Sequence, residues 1–434
     1  MKVLNWYFKS SLLVRIFLGL ILGAVAGLVF GPQIAVISPL GDIFVRLLKM
    51  IVMPVVILTL VVGAASIQPA RLGKVGGKTV LFYMMTTGFA VAMGLLMGNI
   101  FQPGAGMDLA GISSDFGKAL TKPSLVDTIV NIIPTNPFTA ATSGQILPTI
   151  FFTLIFGIGL AFIRDSEDER IREVADTVYR FFEGGAEVIY KMVNWILQYA
   201  PIGVFALIAV VFGKQGAQAF GPLGILTLSI YLGIILHAVL IYGGLLSFFK
   251  ISPIQFFSRA KEAIITAFVT RSSGGTLPVS LRVAQKKMGI SKGVYSFTLP
   301  LGATINMDGN AIYQGVCAIF IGFAIGSPLT FDQQLTVIIT AVLASIGAAG
   351  VPGAGAIMLL LVLNSVGLEV EPGTTVAMAY AMIFGIDALL DMGRTALNVT
   401  GDLAVTCAVA KSENELDETI WNQQDATEVA VPKA

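Results

Sequence analysis

Long apolar segments dominate this chain, and only short polar stretches separate them. Five of these segments hold enough residues, about 20 or more, for a helix to cross the hydrocarbon core of a bilayer. They cover residues 12–30, 40–64, 79–101, 186–213 and 220–249. The hydropathy pattern therefore predicts membrane-spanning helices.

A stripe of polar residues interrupts the last apolar segment, which runs from about Val376 to Val409. An α-helix would place the members of the stripe within about 80° of one another. They are Asp387, Asp391, Arg394, Asn398 and Asp402. A charge near the bilayer centre costs roughly 2.5–3.5 kcal/mol, so the stripe cannot face lipid. A salt-bridge network that only joins helices would leave three acids against one base, and this surplus of negative charge indicates a cation site.

Composition places the chain among polytopic helical membrane proteins. Of its 434 residues, 55% are hydrophobic and only 12% are charged, and the mean hydropathy is +0.84. These values lie far outside those of soluble domains. The formal net charge is +1, and the sequence has no basic arm, so nucleic acid is not an expected partner.

Few side chains are suited to chemistry of their own. Cys317 and Cys407 lie in apolar runs without the spacing of a disulfide framework or a metal site, so we interpret both as small core residues. His237 is the one histidine. In an apolar helix it is more often a hydrogen-bonded structural residue than a proton relay. No nucleophile pairs with a base, and no cluster resembles a divalent-metal centre. We therefore expect neither an enzyme nor a bound cofactor.

Lysine and arginine residues set the expected orientation across the membrane. Basic residues near the N-terminus, at 71–78, at 164–182 and at 250–261 fall on one side when the spans alternate, which predicts cytoplasmic termini. Arg282 needs the same side as Lys261, although only about twenty residues separate them. The intervening segment must therefore enter the membrane and return as a re-entrant hairpin.

A second re-entrant hairpin is predicted at about 331–368, where apolar arms flank the glycine-rich stretch 345–355. Its far flank carries Glu369 and Glu371 but no basic residue, so it should enter from outside. Between the hairpins, the apolar span 293–323 is interrupted at 306–310. Hairpin, broken span, hairpin and polar span then follow the order of an inverted-topology repeat, with a binding site between its halves near mid-membrane.

Two motifs allow more than one interpretation. The glycines at 350–355 lack the basic residue and the preceding strand of a phosphate loop, so they suit a hairpin apex where backbone approaches a small ion or substrate. Tyr83, Thr86 and Thr87 lie close together in the third span, and pattern alone favours ordinary hydrogen bonds between helices. Oxygen atoms of the 306–310 break and of Asp402 are ligands that hard monovalent cations prefer.

Four motifs follow one another along the C-terminal half of the chain. They are RSSGGTLP at 271–278, NMDG at 306–309, GVPGAG at 350–355 and DMGRTALNVTGD at 391–402. In this order they resemble the signature set of the dicarboxylate/amino acid:cation symporter family, the glutamate transporters and their prokaryotic homologues. The resemblance covers nearly the whole chain. It implies an all-α polytopic membrane protein with the glutamate-transporter fold: eight transmembrane helices, two re-entrant helical hairpins and inverted repeats, assembled as a homotrimer in the cell membrane.

The resemblance also implies a scaffold and a moving transport domain. The scaffold would comprise spans 1 and 2 within residues 1–78 and spans 4 and 5 within 102–213, with a charged linker at 164–182. The transport domain would comprise span 3 at 79–101, and span 6, hairpin 1, span 7, hairpin 2 and span 8 within 214–411. A cytoplasmic tail would follow at 412–434.

By position in the motifs, the resemblance assigns contacts to a substrate. Arg394 would hold the side-chain carboxylate of the substrate, and Asp391 would pair with its amino group. Further contacts would come from Arg271, Ser272, Ser273, Asn310, Val351, Gly355, Thr395 and Asn398. Asn310 departs from the threonine that transporters of acidic amino acids usually have, and its larger side chain leaves the preference between aspartate and glutamate open.

The resemblance implies three sodium sites as well. The first would comprise Asp402, Asn306 and the carbonyls of Gly302 and Asn398, with Met307 in the same break. The second would comprise carbonyls of Thr304, Ser345, Ile346 and Ala348, and the third Asp308, Asn306, Tyr83, Thr86 and Thr87. The last assignment reverses the interpretation of the residues of span 3 as ordinary helix contacts.

We therefore expect a symporter that moves aspartate or glutamate inward with sodium ions. A plain dicarboxylate would meet Asp391 unpaired, so the pair of Asp391 and Arg394 favours an amino acid with a second carboxylate. Proton coupling is the alternative within transport, and a substrate-gated anion channel is the alternative from another class.

Overall fold

The computed structural model describes residues 10, 12–65, 75–107, 130, 132–216, 220–345 and 353–422. These residues form helices, and the one extended pairing among them is an antiparallel bridge between Ile290 and Leu416. The helices are α1 Leu12–Phe30, α2 Ser38–Ala65, α3 Gly77–Phe101, α4 Pro137–Thr142, α5 Ile146–Arg164, α6 Glu169–Gln215, α7 Phe220–His237, α8 Gly243–Phe248, α9 Pro253–Thr270, α10 Ser273–Lys286, α11 Lys292–Ile305, α12 Asp308–Ala324, α13 Phe331–Ser345, α14 Ala354–Ser365, α15 Thr375–Ser412 and α16 Glu418–Asn422. A 3₁₀ segment, Gly31–Ile37, joins α1 to α2, and a π-helical segment, Ala238–Tyr242, joins α7 to α8.

Several helical stretches in the described part of the chain are long and apolar enough to cross a membrane. They are Val14–Ala65, Gly77–Phe101, Glu169–Lys214, Phe220–Phe248 and Thr375–Ser412. Four of these stretches cover all but a few end residues of the five apolar segments found in the sequence, and the fifth carries the polar stripe. The prediction of an all-helical membrane protein is confirmed. The charged stretch from residue 169 onward and the following span form one continuous helix of 47 residues, although Pro201 lies inside it.

The helices pack into two groups. In the first, α6 packs along α1 and α2, and α5 packs against α2. In the second, α15 contacts α9, α11 and α12, while α3 packs against α7 and α12. The helix pairs α9–α10 and α13–α14, where the two hairpins are predicted, belong to the second group. The groups meet where α15 contacts α1 and α6 and where α14 contacts α2.

Glycines spaced four residues apart allow α1 to pack closely against α6. A Cβ atom at Gly23 would lie 2.6 Å from the carbonyl oxygen of Phe205, and one at Gly27 would lie 2.5 Å from that of Ala209. Both distances are shorter than van der Waals contact, so larger residues would separate the helices. The structural interpretation of this spacing is confirmed.

Two of the three predicted interruptions lie within the described residues, and both are shorter than the sequence suggests. Between α11 and α12, only Asn306 and Met307 leave the helical conformation. The first hairpin turns at Arg271 and Ser272, because Arg271 has a φ of +54° and the Ser272 hydroxyl caps α10 by accepting the N–H of Gly275 at 2.9 Å. The rest of the 271–278 motif is helical. The apex of the second hairpin, 346–352, lies outside the described residues.

Helix α15 is buried along nearly its whole length. Each of the five polar residues in its stripe exposes 5% or less of its surface. The prediction that this face meets protein is therefore confirmed, and the residues packed against it define the candidate site. Cys317 and Cys407 are free and buried, as expected of core residues.

Candidate functional site

The break between α11 and α12 lies against the middle of α15, and Asn398 holds it there. The Oδ1 of Asn398 accepts the backbone N–H of Gly309 at 2.7 Å, and its Nδ2 donates to the Sδ of Met307 at 3.2 Å. A Cβ atom at Gly309 would overlap the backbone carbonyl of Arg394. Glycine therefore allows the first turn of α12 to lie directly on α15.

The first group of polar side chains, the Arg394 cluster, lies on one side of this contact. Arg394 is fully buried, and it donates from Nη1 to the Oδ1 of Asp387 at 2.8 Å and from Nη2 to the Oδ1 of Asp391 at 2.9 Å. Its Cζ lies 4.0 Å from the ring centroid of Tyr313, a cation–π contact. The Thr395 hydroxyl lies 3.5 Å from the Oδ1 of Asp391. The Arg394 Nε makes no hydrogen bond within the described residues, so the guanidinium keeps donor capacity for another anion.

Helices α12 and α14 close over the Arg394 cluster. A Cβ atom at Gly355 would lie 2.7 Å from the Oδ1 of Asn310 and 3.2 Å from the Cζ of Arg394. The backbone N–H of Gly353 points to the Oδ2 of Asp391 at 3.4 Å. Asn310 exposes only 7% of its surface. The cluster therefore combines a cation, two carboxylates and a buried amide in one confined space.

The second group, the Asp308–Asp402 cluster, lies where α3 meets the break. The Nδ2 of Asn306 donates to the Oδ1 of Asp402 at 3.0 Å, and its Oδ1 accepts the Thr86 hydroxyl at 3.3 Å. The Thr87 hydroxyl donates to the Oδ1 of Asp308 at 2.7 Å. Two carboxylates, an amide oxygen and two hydroxyls are thus gathered by three helices and the break.

Tyr83 and Gly302 complete the Asp308–Asp402 cluster. A Cβ atom at Gly302 would lie 2.5 Å from both the Oδ1 of Asp402 and the Tyr83 hydroxyl. That hydroxyl donates to the backbone oxygen of Thr298 at 3.0 Å. The three polar residues of α3 therefore lie together beside the two carboxylates, as their helical spacing allows.

The two clusters bury more negative than positive charge. The carboxylates of Asp308, Asp387, Asp391 and Asp402 expose 5% or less of their residues' surface, and Arg394 supplies one guanidinium among them. Four ionised carboxylates against one guanidinium leave an excess of three negative charges between these groups. Each desolvated charge costs several kcal/mol unless it is compensated. The arrangement therefore favours bound cations, and its carboxylate, amide and hydroxyl oxygens suit a hard metal ion.

The other predicted site residues lie at the edge of these clusters, elsewhere in the fold or outside the described residues. Arg271 lines a crevice with Gly353 and Asp387, against Leu12, Ile16 and Leu197 of the first helix group. Ser273, at the start of α10, is buried. The hydroxyls of Thr304 and Ser345 bond to carbonyls of their own helices. Ile346, Ala348 and Val351 lie outside the described residues.

Comparison with known proteins identifies the class of molecule to which this site belongs. The model of the sodium:dicarboxylate symporter family matches residues 12–412. The chain belongs to the sodium:dicarboxylate symporter family. Both clusters lie inside the matched region, and the long apolar helices agree with a membrane transporter.

Relatives within the symporter family match over most of their length. The chain is 38% identical to the proton/sodium-glutamate symport protein of Bacillus caldotenax, over 94% of this chain and 96% of the relative. It is 36% identical to the proton/glutamate-aspartate symporter of Escherichia coli, over 88% of this chain and 86% of the relative. It is also 31% identical to the C4-dicarboxylate transport protein of Bacillus subtilis, over 94% and 95%.

Three aromatic side chains of this symporter-family member contact the clusters without having been predicted to do so. Tyr313 stacks on Arg394, and the Tyr242 hydroxyl donates to the Oδ2 of Asp308 at 2.7 Å. The Nε2 of His237 lies 3.4 Å from the same oxygen. Neither ring nitrogen of His237 makes a hydrogen bond within the described residues, so the hydrogen bond expected of a structural histidine is not seen there, and the choice between a structural residue and a proton relay stays a prediction. The spacing of apolar residues could not have identified Tyr313, because its helix is buried on all sides and no face of it stands out in the sequence.

Replacing Asn398 by alanine should loosen the contact between α12 and α15. The Asn398→Ala change leaves the N–H of Gly309 buried without its acceptor, which costs roughly 1–3 kcal/mol. We expect a lower thermal unfolding temperature for the purified protein in detergent. Thr400→Ala is the matched control, because the buried Thr400 hydroxyl bonds only to Ala396 of its own helix. Equal stability of the two variants would contradict the role given to Asn398.

Proposed function

We propose that this protein is a secondary active symporter that moves an acidic amino acid, aspartate or glutamate, inward together with sodium ions by alternating access. The excess of buried carboxylates in two clusters, fixed on either side of one broken helix, carries the proposal. Such a site is suited to metal cations and a ligand that bears both signs of charge. The printed names of the relatives from B. caldotenax and E. coli, both glutamate symporters, support it.

The Arg394 cluster would bind the substrate. A guanidinium pairs with a carboxylate through two parallel hydrogen bonds, so Arg394 would hold the side-chain carboxylate of the substrate, with the Asn310 amide beside it. Asp391 would exchange its contact with Arg394 for the ammonium group of the substrate. Asp387 would remain with Arg394 and stabilise its charge. A dicarboxylate without an ammonium group would place two anions against each other at Asp391.

The main-chain carboxylate would be held by Thr395, Asn398 and the turn of the first hairpin. Ser272 and Ser273 belong to that turn, and Arg271 lies at its tip. Gly355 and Val351 of the second hairpin would cover the substrate from the other side. The closeness of Gly355 to Arg394 supports this assignment, because a side chain there would fill the space that the substrate needs.

The Asp308–Asp402 cluster would bind sodium. One ion would lie between Asp402, Asn306 and the carbonyls of Gly302 and Asn398, and another beside Asp308, Thr87 and the Tyr83 region. A third would use carbonyls of Thr304 and of the second hairpin. The carboxylate, amide and hydroxyl oxygens gathered at the break support the first two assignments.

Sodium and substrate would be coupled through the break. An ion between Asp308 and Asp402 would stabilise the non-helical backbone at Asn306 and Met307. Asn398 bonds to the Met307 side chain in the break and to the N–H of Gly309 just after it, and it lies one helical turn from Arg394. Ordering of the break by sodium would therefore preform the substrate site, and substrate would in turn raise the affinity for sodium.

Alternating access would use the two helix groups. We propose eight membrane spans and two re-entrant hairpins in inverted-topology repeats, with α1, α2, α5 and α6 as the scaffold of a homotrimer and the other long helices as the transport domain. The packing of α3 with α7 and α12, rather than with α2, supports this division. With cytoplasmic termini, the crevice of Arg271 and Gly353 beside Leu12 would lie in the cytoplasmic half of the molecule, which corresponds to an inward-facing arrangement. The ion pair of Lys49 and Glu371 joins the two groups and would break when the transport domain moves.

Uptake into proteoliposomes should depend on a sodium gradient. With sodium outside and none inside, labelled aspartate or glutamate should accumulate, and replacement of sodium by choline should abolish accumulation. Gradients of protons and of potassium are imposed one at a time as controls. Uptake that follows a pH gradient and ignores sodium would replace sodium by protons in the proposal, and substrate-evoked current without accumulation would indicate a channel.

Loss of the guanidinium should abolish transport of acidic substrates. The Arg394→Cys variant removes the partner of the substrate side-chain carboxylate, and we expect aspartate uptake to fall by about 100-fold or more. A neutral amino acid such as serine should become the better substrate. Arg282→Cys is the control, because Arg282 is exposed and pairs with Glu262 at the surface. Size-exclusion chromatography checks that both variants fold, and aspartate uptake unchanged in Arg394→Cys would refute the assignment.

A further inference from the structure

A π-helical segment between α7 and α8 points the side chains of His237 and Tyr242 toward the Asp308 carboxylate. Helix α7 ends at His237, and the segment Ala238–Tyr242 follows, with the N–H of Gly243 bonded to the carbonyl of Ala238 five residues earlier. On an α-helix, side chains five residues apart would point about 140° away from each other. Here the ring centroids of His237 and Tyr242 lie 4.8 Å apart at an interplanar angle of 87°. Single π turns of this kind occur frequently at functional sites.

Both of these side chains reach one oxygen of Asp308. The Tyr242 hydroxyl donates to Oδ2 at 2.7 Å, and the Nε2 of His237 lies 3.4 Å from Oδ2. Thr87 donates to the other oxygen, Oδ1, at 2.7 Å. Tyr242 therefore holds one carboxylate oxygen, while the other faces Thr87 and the rest of the Asp308–Asp402 cluster.

Tyr242 also contacts the helix that carries the second carboxylate of the cluster. Its hydroxyl lies 3.4 Å from the backbone oxygen of Leu397. A Cβ atom at Gly401 would overlap this hydroxyl and would lie 2.7 Å from the Nδ2 of Asn306. Gly401 directly precedes Asp402 in α15. One hydroxyl group is thus in contact with both of the helices, α12 and α15, that supply the carboxylates.

His237 is buried without a hydrogen bond to compensate it. Its side chain has no exposed surface, and neither ring nitrogen makes a hydrogen bond within the described residues, although Nε2 lies 3.4 Å from the Oδ2 of Asp308. Buried polar groups are nearly always hydrogen-bonded, because an unpaired one lowers the stability of the fold. The position of His237 beside Tyr242 and Asp308 therefore indicates a functional constraint at this point.

We propose that Tyr242 is a positioning residue for a cation at Asp308, an inference that rests on the proposed function. By bonding to Oδ2, its hydroxyl fixes the rotation of the carboxylate and presents Oδ1, together with the Thr87 hydroxyl, to the cation. His237 packs edge-on against the tyrosine ring and fills the space beside Oδ2, so water does not replace the hydroxyl. The π-helical segment brings this pair into the cluster, and the α7–α8 region thereby sets the affinity for sodium.

The Tyr242→Phe variant tests the proposal, because it keeps the ring and removes only the hydroxyl. Thermal unfolding of the purified protein is followed against sodium concentration without substrate, at constant ionic strength. The sodium concentration that gives half of the full stabilisation should rise on the order of tenfold, the factor that a hydrogen bond to a charged group represents. The Kd for aspartate at saturating sodium should change by less than about twofold.

Tyr231→Phe is the matched control. Tyr231 lies in α7, and its hydroxyl donates to the backbone oxygen of Leu389 in α15 at 2.7 Å, so this variant also removes one hydroxyl that bonds to α15. It should leave the sodium midpoint unchanged. A second variant, His237→Leu, keeps the Tyr242 hydroxyl but removes the ring beside it, and it should raise the midpoint by about threefold.

An unchanged sodium midpoint in both Tyr242→Phe and His237→Leu would overturn the inference. Lower unfolding temperatures at zero sodium with unchanged midpoints would also overturn it, because they would indicate packing alone. The response of the wild type to sodium distinguishes failure of this inference from failure of the proposed function. If sodium does not stabilise the wild type, the sodium assignment itself fails, whereas a normal wild-type response with unaltered variants removes only the role of Tyr242.

Discussion

In the core of this protein, the guanidinium of Arg394 lies between the carboxylates of Asp387 and Asp391, and two further carboxylates are buried on the other side of the break. A chain that is 55% hydrophobic and only 12% charged thus buries five ionisable groups where neither lipid nor bulk water can compensate them. The other helices shield these charges from lipid. Helices α3, α9, α11, α12 and α14 surround α15 so that its polar face meets only protein or ligand.

The break between α11 and α12 makes the two clusters one site. A continuous helix would satisfy its own backbone groups and leave none to interact with α15. Because the helix is interrupted at Asn306 and Met307, Asn398 can accept the N–H of Gly309 in the first turn of α12 and donate to the Sδ of Met307. Unwound backbone at this depth persists only where protein or a cavity surrounds it. In the proposed mechanism, these two residues provide the physical link between the cation and the substrate.

The sequence was informative where a strict period or a strong energetic penalty applies. Helix α1 begins at Leu12 and ends at Phe30, as hydropathy predicts, and the stripe on α15 follows from the cost of charge in lipid. The hairpin turn was placed less well, because the glycines after Ser272 are helical once its hydroxyl caps α10. Tyr242 could not be predicted, since the π turn changes the register of the helix. Residues 346–352, which include three predicted ligands, lie outside the described part of the chain.

Binding of aspartate at equilibrium, measured by calorimetry over a range of sodium concentrations at constant ionic strength, tests most directly whether cations compensate the buried carboxylates. The account predicts that the Kd for aspartate falls as sodium rises, with a slope steeper than one on logarithmic axes, because more than one ion binds with the substrate. A Kd that is independent of sodium would show that sodium does not compensate these carboxylates when the substrate binds, and it would contradict the account.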